Sequence, residues 1–298
     1  MKILITGSHG QLGRCLQDRV SQYDVDVVAA DADVLDITDE SAVAAFIHQQ
    51  QPNLIINAAA YTAVDKAETE RELAIQVNEV GPANLAKGCA ELDIPIIHVS
   101  TDYVFDGLGM TPYRPNGCTA PQSVYGETKL AGETAVTFAT AKHVIIRTAW
   151  VFSEYGNNFV KTMLRLAGER DTLTVVADQY GCPTYAGDLA DAILKIVAEI
   201  QKDSGWSKYG TYHFCGEEAT SWHGFARAIV ALSCQKKMLE QKSAVLPIAT
   251  KDYPTPATRP EYSVLDCSGF PVEGVERNWQ RSLEIVLKKL KTESSISL

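Results

Sequence analysis

Thr6-Gly7-Ser8-His9-Gly10-Gln11-Leu12-Gly13 follows directly on the apolar run Lys2 to Thr6 and opens a stretch of helical periodicity at Gln11. That order of β-rich run, glycine turn and helix decides the fold. Glycines spaced Gly-x-x-Gly-x-x-Gly let the chain turn tightly and let a pyrophosphate reach backbone N–H groups, while the helix N-terminus offers it partial positive charge. Gly13 would let the helix pack closely on the strand. The turn therefore reads as a dinucleotide site.

Asp31 lies 18 residues past Gly13, at the end of the next β-rich run, where an acidic side chain hydrogen-bonds an adenosine ribose. That placement points to NADH. Arg14, directly after the loop, would accept a 2′-phosphate and points to NADPH, so both cofactors stay open. The alternative for Asp31 is a solvated carboxylate in the acidic run Asp31, Asp33 and Asp36.

Outward from the turn, Val25 to Ala30, Asn53 to Ala58, Ile94 to Ser100 and His143 to Ala149 are near-continuous apolar or β-branched runs, as strands buried on both faces should be. Helical spacing fills Gln11 to Gln22, Glu40 to Gln50, Val80 to Leu92 and Val124 to Thr140. This alternation predicts an α/β fold, a Rossmann-type doubly wound parallel sheet. After Trp150 the rhythm loosens, with helical patterns at Asn158 to Glu169, Asp188 to Gln201, Trp222 to Ser233 and Arg281 to Lys291. A smaller C-terminal α/β substrate domain is expected there. The division expected is residues 1–152 with 186–217 for the dinucleotide-binding domain, and residues 153–185 with 218–298 for the substrate domain.

Composition narrows the function. A chain of 298 residues with 46% hydrophobic and 21% charged residues is ordinarily globular, and only the serine-rich end Thr292 to Leu298 reads as disordered. A formal charge of −10 without a basic stretch excludes a phosphate-backbone binder, so no nucleic acid is expected as a partner. Seven dispersed cysteines, with no Cys-x-x-Cys and no histidine at ligand spacing, suit reduced thiols and no metal. The opening apolar run is too short for a signal peptide and no run approaches a membrane span. A cytoplasmic location, with no membrane partner, is the expectation.

Tyr125 and Lys129 share one face of a helix, a single turn apart, and no other tyrosine of the 12 has a lysine four residues on. A phenol titrates near pH ~10, and a fixed cation beside it can supply the roughly 4 kcal/mol that moves it ~3 units toward neutrality. Ser100-Thr101-Asp102 ends a predicted strand, where ligands bind in an open α/β sheet. A Thr101 hydroxyl there would polarise a carbonyl while Tyr125 delivers the proton and Lys129 grips the nicotinamide ribose. Exposed helix pairs and strand-end caps are the plain alternatives for each residue alone. No His-Glu-x-x-His, nucleophile elbow or Walker loop competes.

These motifs resemble the extended short-chain dehydrogenase/reductase family over Met1 to about Asp266. Gly7 to Gly13, Asn57 to Glu68, Ser100 to Phe105, Val124 to Glu133, Arg147 to Phe152 and Asn157 to Phe159 carry the likeness. Asp178 to Thr184 and Tyr253 to Pro260 narrow it to the rhamnose-forming branch. The resemblance implies reduction of the C4 ketone of dTDP-4-dehydro-L-rhamnose, a dTDP-sugar, to dTDP-L-rhamnose for cell-surface polysaccharide. It implies cofactor contacts for Gly10, Gln11, Leu12, Asp31, Asp36, Ile37, Ala60, Tyr61, Thr62, Val99, Tyr125 and Lys129, and substrate contacts for Thr101, Asp102 and Trp150. Trp150 at a strand end suits stacking on a sugar or base, or else a partly buried core position. Arg259 suits the diphosphate, or else a surface ion pair.

Two positions depart from the family pattern. Thr258 stands where relatives often carry the first arginine of Ala-Arg-Arg-Pro. Cys15 stands where magnesium-linked dimeric relatives carry a glutamate, so magnesium is not expected through that residue, and a homodimer stays open. Rival readings on this scaffold are a reductase or epimerase for another nucleotide sugar, and a non-catalytic dinucleotide-binding regulatory subunit such as the β subunit of methionine adenosyltransferase. The intact Thr101, Tyr125 and Lys129 set argues against the latter.

Overall fold

A computed structural model describes residues 1–240 and 243–296. The first half alternates strand and helix: β1 (Lys2–Thr6), α1 (Gln11–Arg19), β2 (Asp26–Ala30), α2 (Glu40–Gln50) and β3 (Leu54–Asn57). Two short helices, α3 (Val64–Ala67) and α4 (Arg71–Ile75), then run through a π-turn into α5 (Gly81–Glu91), β4 (Ile96–Thr101), α6 (Val124–Ala139) and β5 (His143–Thr148). The second half holds β6 (Val151–Phe152), α7 (Phe159–Glu169), β7 (Thr172–Val176), β8 (Tyr180–Gly181), β9 (Thr184–Tyr185), α8 (Ala186–Lys202), β10 (Gly210–His213), β11 (Thr220–Ser221), α9 (Trp222–Gln235), β12 (Ala244–Ile248) and α10 (Trp279–Ile296).

Six strands form one parallel sheet in the order β10-β5-β4-β3-β1-β2. Alternate residues of each strand face opposite sides, so both faces need cover. Ile3, Ile5, Ile56 and Ile146 pack under Leu16 of α1 and Leu189 and Ile193 of α8. Leu4, Ile55, Ile96 and Ile145 pack under Val43 and Ile47 of α2 and Leu85 of α5. The chain adds β2 on one side of β1 and β3 on the other, which makes the β1/β3 boundary the topological switch point.

A separate core joins α7, α9 and α10 through Met163, Phe225, Ile229, Leu283 and Leu287, with β7 and β12 paired in parallel beside it. Trp222 to Ser233 and Arg281 to Lys291 were legible as helices, but β12 and its pairing with β7 were not. Contrary to the disorder expected of Thr292 to Leu298, α10 continues to Ile296, there being no Gly or Pro after Leu290 to stop it. Ser297 and Leu298 lie outside the described residues. None of the seven cysteines is in a disulfide, and no helix among the described residues is long and apolar enough to cross a membrane.

Candidate active site

The glycine turn sits at the switch point, and its geometry requires glycine. Gly7 has φ +68°, and a Cβ there would stand 2.5 Å from the Ala59 nitrogen. A Cβ on Gly13 would stand 2.2 Å from the Gly7 carbonyl oxygen, so α1 packs against the turn itself rather than against the strand. Gly10 and Gln11 open α1 facing a pocket of about 610 Å³ that runs along the carboxyl ends of β1 to β5. Gln11 is held by Ser153 (2.9 Å) and Asn158 (3.1 Å) from the second half of the chain.

Asp31 lies on the pocket wall with its carboxylate accepting from the His9 N–H at 2.7 Å and the Ala32 N–H at 2.9 Å. It therefore ties the glycine turn to the end of β2. Asp36 accepts from both the backbone and the hydroxyl of Thr38, and Ile37 fills the space over Gly81, where a Cβ would meet its Cδ1 at 2.5 Å. Leu12, Asp36, Ile37, Ala60, Thr62 and Val99 all line the pocket. Tyr61 and Arg14 do not. The Tyr61 phenol is bonded to Glu70 and its backbone to Asn78, while Arg14 donates to the His9 carbonyl at 3.1 Å and lies over the Tyr155 ring.

Tyr125 and Lys129 of α6 line the same pocket, together with Ser100 and Thr148. Ser123 caps α6 by accepting from the Gly126 N–H, which fixes the first turn that carries Tyr125. Thr101 ends β4, its hydroxyl donating to Asp102 Oδ1 at 3.0 Å and accepting from the Tyr103 N–H at 3.2 Å, beside the Tyr125 phenol. The Lys129 ammonium is fully buried and donates to the Val99 carbonyl at 2.7 Å. Burial pushes it down to about 8, opposed by Glu133.

The Tyr125 phenol departs from the sequence reading. Burial holds it above its ordinary value, reinforced by Asp102 and Tyr103 and opposed by the Thr101 hydroxyl. Lys129 does not offset that burial; its ammonium donates to the Val99 carbonyl. Tyr125 is thus a phenol that keeps its proton, which is the form a proton donor needs.

Asp102 is buried beside Thr101, and burial pushes its carboxyl up to about 6 although the Ser263 and Thr101 hydroxyls pull it down. Its Oδ2 makes no hydrogen bond of ordinary geometry, Ser263 standing near without completing one. Trp150 adopts φ +50°, rare for a bulky residue, and stacks on Trp222 at 3.6 Å and 9°. Gly181 makes room for its edge, a Cβ there falling 2.6 Å from Trp150 Cε2. Arg259 is held by Asp65 (2.7 Å) and the Tyr103 hydroxyl (3.2 Å). Sequence reasoning did not single out Trp222, Gly181, Asp65 or Tyr103. Cys15 is a buried thiol, pushed up to about 12 by its burial.

A parallel sheet with this glycine turn at its switch point and with Tyr125 and Lys129 lining the same pocket defines an NAD(P)H-dependent oxidoreductase of the extended short-chain dehydrogenase/reductase class. The chain belongs to the dTDP-4-dehydrorhamnose reductase family, whose model, described as RmlD substrate binding domain, matches residues 1–292. It is 46% identical to the dTDP-4-dehydrorhamnose reductase of Aggregatibacter actinomycetemcomitans over 95% of this chain and 97% of that protein. The solved dTDP-4-dehydrorhamnose reductase of Clostridium acetobutylicum superposes with a TM-score of 0.90 at 41% identity, covering 98% of this chain and all (100%) of that one. That of Bacillus anthracis, in complex with NADP, gives 0.89 at 37% identity over 97% of this chain and 99% of that one.

Proposed function

We propose that this enzyme reduces the C4 ketone of dTDP-4-dehydro-L-rhamnose to dTDP-L-rhamnose, a precursor for cell-surface polysaccharide, with NADPH or NADH as donor. The observation that carries the reading is one pocket lined both by the glycine turn and by Tyr125 and Lys129, with the Thr101 hydroxyl beside the Tyr125 phenol. The cofactor fits that pocket: Gly7 and Gly13 let the turn close tightly on Ala59 and α1 at its edge, and the buried Ser100 and Thr148 hydroxyls on its wall have no partner among the described residues. Gly10, Gln11, Leu12 and Asp31 would hold its diphosphate and adenosine, and NADP in the Bacillus anthracis relative supports NADPH.

When bound, the nicotinamide supplies the hydride to C4. Thr101 donates a hydrogen bond to the ketone oxygen, lowering the cost of the negative charge that develops there. Tyr125 delivers the proton to that oxygen, and the phenolate it leaves regains its proton from solvent. Lys129, anchored to Val99, orients the nicotinamide ribose. Asp102, Trp150 and Arg259 hold the sugar nucleotide.

Purified protein mixed with dTDP-4-dehydro-L-rhamnose and either reduced cofactor should consume it mole for mole and yield dTDP-L-rhamnose by mass and NMR. Tight binding of both ligands with no turnover on either cofactor would instead mark a regulatory subunit.

A further inference from the structure

The geometry points to Asp65 as a positioning residue for the diphosphate of the nucleotide-sugar substrate, acting through Arg259. The inference rests on the reading above that Arg259 meets that diphosphate. Asp65 stands on the short helix α3, in the chain's first half, and both of its carboxylate oxygens are committed to the proline-rich segment of the second half. Oδ2 accepts from Arg259 Nη2 at 2.7 Å, and Oδ1 accepts from the Ala257 N–H at 3.3 Å. The same segment is tightened by the Thr255 hydroxyl, which donates to the Ala257 carbonyl at 2.9 Å.

The other side of the guanidinium is fixed as well. Arg259 Nη1 donates to the Tyr103 hydroxyl at 3.2 Å, and the Tyr103 ring stands edge-on to Tyr125 with centroids 5.4 Å apart. Asp65, Arg259, Tyr103 and Tyr125 thus form one contiguous chain of contacts from the proline-rich segment to the proton donor. A guanidinium has five N–H donors in a rigid fork. Asp65 and Tyr103 take two of them, which leaves three for phosphate oxygens, in a plane already set.

This differs from an ordinary surface ion pair in what it supplies. A half-exposed Arg–Asp pair adds little to stability. A free arginine side chain, however, must lose rotamer freedom when it grips a ligand, and a counterion that fixes it beforehand removes that cost from binding. The need is greater here because Thr258 precedes Arg259, so the segment offers one guanidinium. Burial opposes the Arg259 charge, and Tyr103 and Asp65 outweigh it.

The test compares Asp65→Asn, Asp65→Glu and Arg259→Lys with the wild type, measuring kcat and KM for dTDP-4-dehydro-L-rhamnose and the Kd for NADPH. Asp65→Asn should raise the sugar-nucleotide KM about tenfold with kcat within about twofold and NADPH Kd unchanged, Asp65→Glu should recover most of the loss, and the Asp65→Asn/Arg259→Lys double variant should add little to Arg259→Lys alone. An unchanged KM in Asp65→Asn alongside a raised one in Arg259→Lys would overturn the inference. So would a lowered KM, which would make Asp65 a competitor of the diphosphate, and a parallel loss of NADPH affinity, which would make it a fold contact only. Arg259→Lys with wild-type KM would sink the Arg259 reading beneath it, whereas a wild type without turnover would sink the proposed activity itself.

Discussion

The Lys129 ammonium lies 2.7 Å from the carbonyl oxygen of Val99, joining α6 to β4 two residues before Thr101. This bond gives the cation a fixed place and leaves it in a site where burial lowers its pKa from 10.5 to about 8. The charge is therefore present below that value and lost as pH rises through it. kcat/KM should decline along an alkaline limb centred near 8. Lys129→Met, which keeps the length of the side chain without its charge, should remove that limb and lower kcat/KM by ~100-fold or more. A pH–rate profile of both proteins decides this; an unchanged limb in the variant would assign it to another group.

Tyr125→Phe removes a single oxygen while keeping the ring that packs on Tyr103. Loss of a positioned proton donor costs ~10²–10⁴ in rate. kcat should fall within that range while NADPH affinity, measured by fluorescence titration, stays near wild type. A near-normal rate would move the proton source to Asp102 or to water.

The parallel sheet was legible because β1 to β5 are apolar runs and because glycine, strand and helix follow one another without interruption. The Tyr125–Lys129 pair was legible because four residues is one helical turn. What the Lys129 proton does was not legible, since Val99 meets it only when α6 crosses β4. Trp222 was hidden for the same reason: nothing local links it to Trp150, and only the packing of α9 brings the rings to 3.6 Å. Ala60 and Thr62 line the pocket, whereas the Tyr61 phenol between them is bonded to Glu70, a partner nine residues on that local spacing does not indicate.

Glu133 and Arg147 form a buried pair, with Glu133 accepting from Arg147 Nε at 2.9 Å and from Nη2 at 2.7 Å, and side chains only 6% exposed on each. Glu133→Ala strands a guanidinium beneath the site, and breaking such a pair costs ~3–5 kcal/mol. Urea unfolding should show a loss of that size. Glu133 also opposes the fall in the Lys129 value, so in Glu133→Gln the alkaline limb of kcat/KM should move to lower pH. An unmoved limb would show that Glu133 serves the fold alone.

Asp102 gives stability a pH dependence whose sign follows from its burial. Its carboxyl is raised from 3.8 to about 6, so the unfolded chain releases this proton before the folded chain does. The stabilisation is fully present below 3.8 and is lost as pH rises through about 6. The gap corresponds to roughly 3 kcal/mol. Asn at this position keeps the shape and cannot ionise, so Asp102→Asn should gain on the wild type by up to that amount between about pH 3.5 and about pH 7.5. Denaturant midpoints of the two proteins at those two pH values measure the difference directly. Equal changes in both would mean that the Asp102 carboxyl titrates in the folded protein as it does in the unfolded chain, and that its unpaired oxygen is solvated.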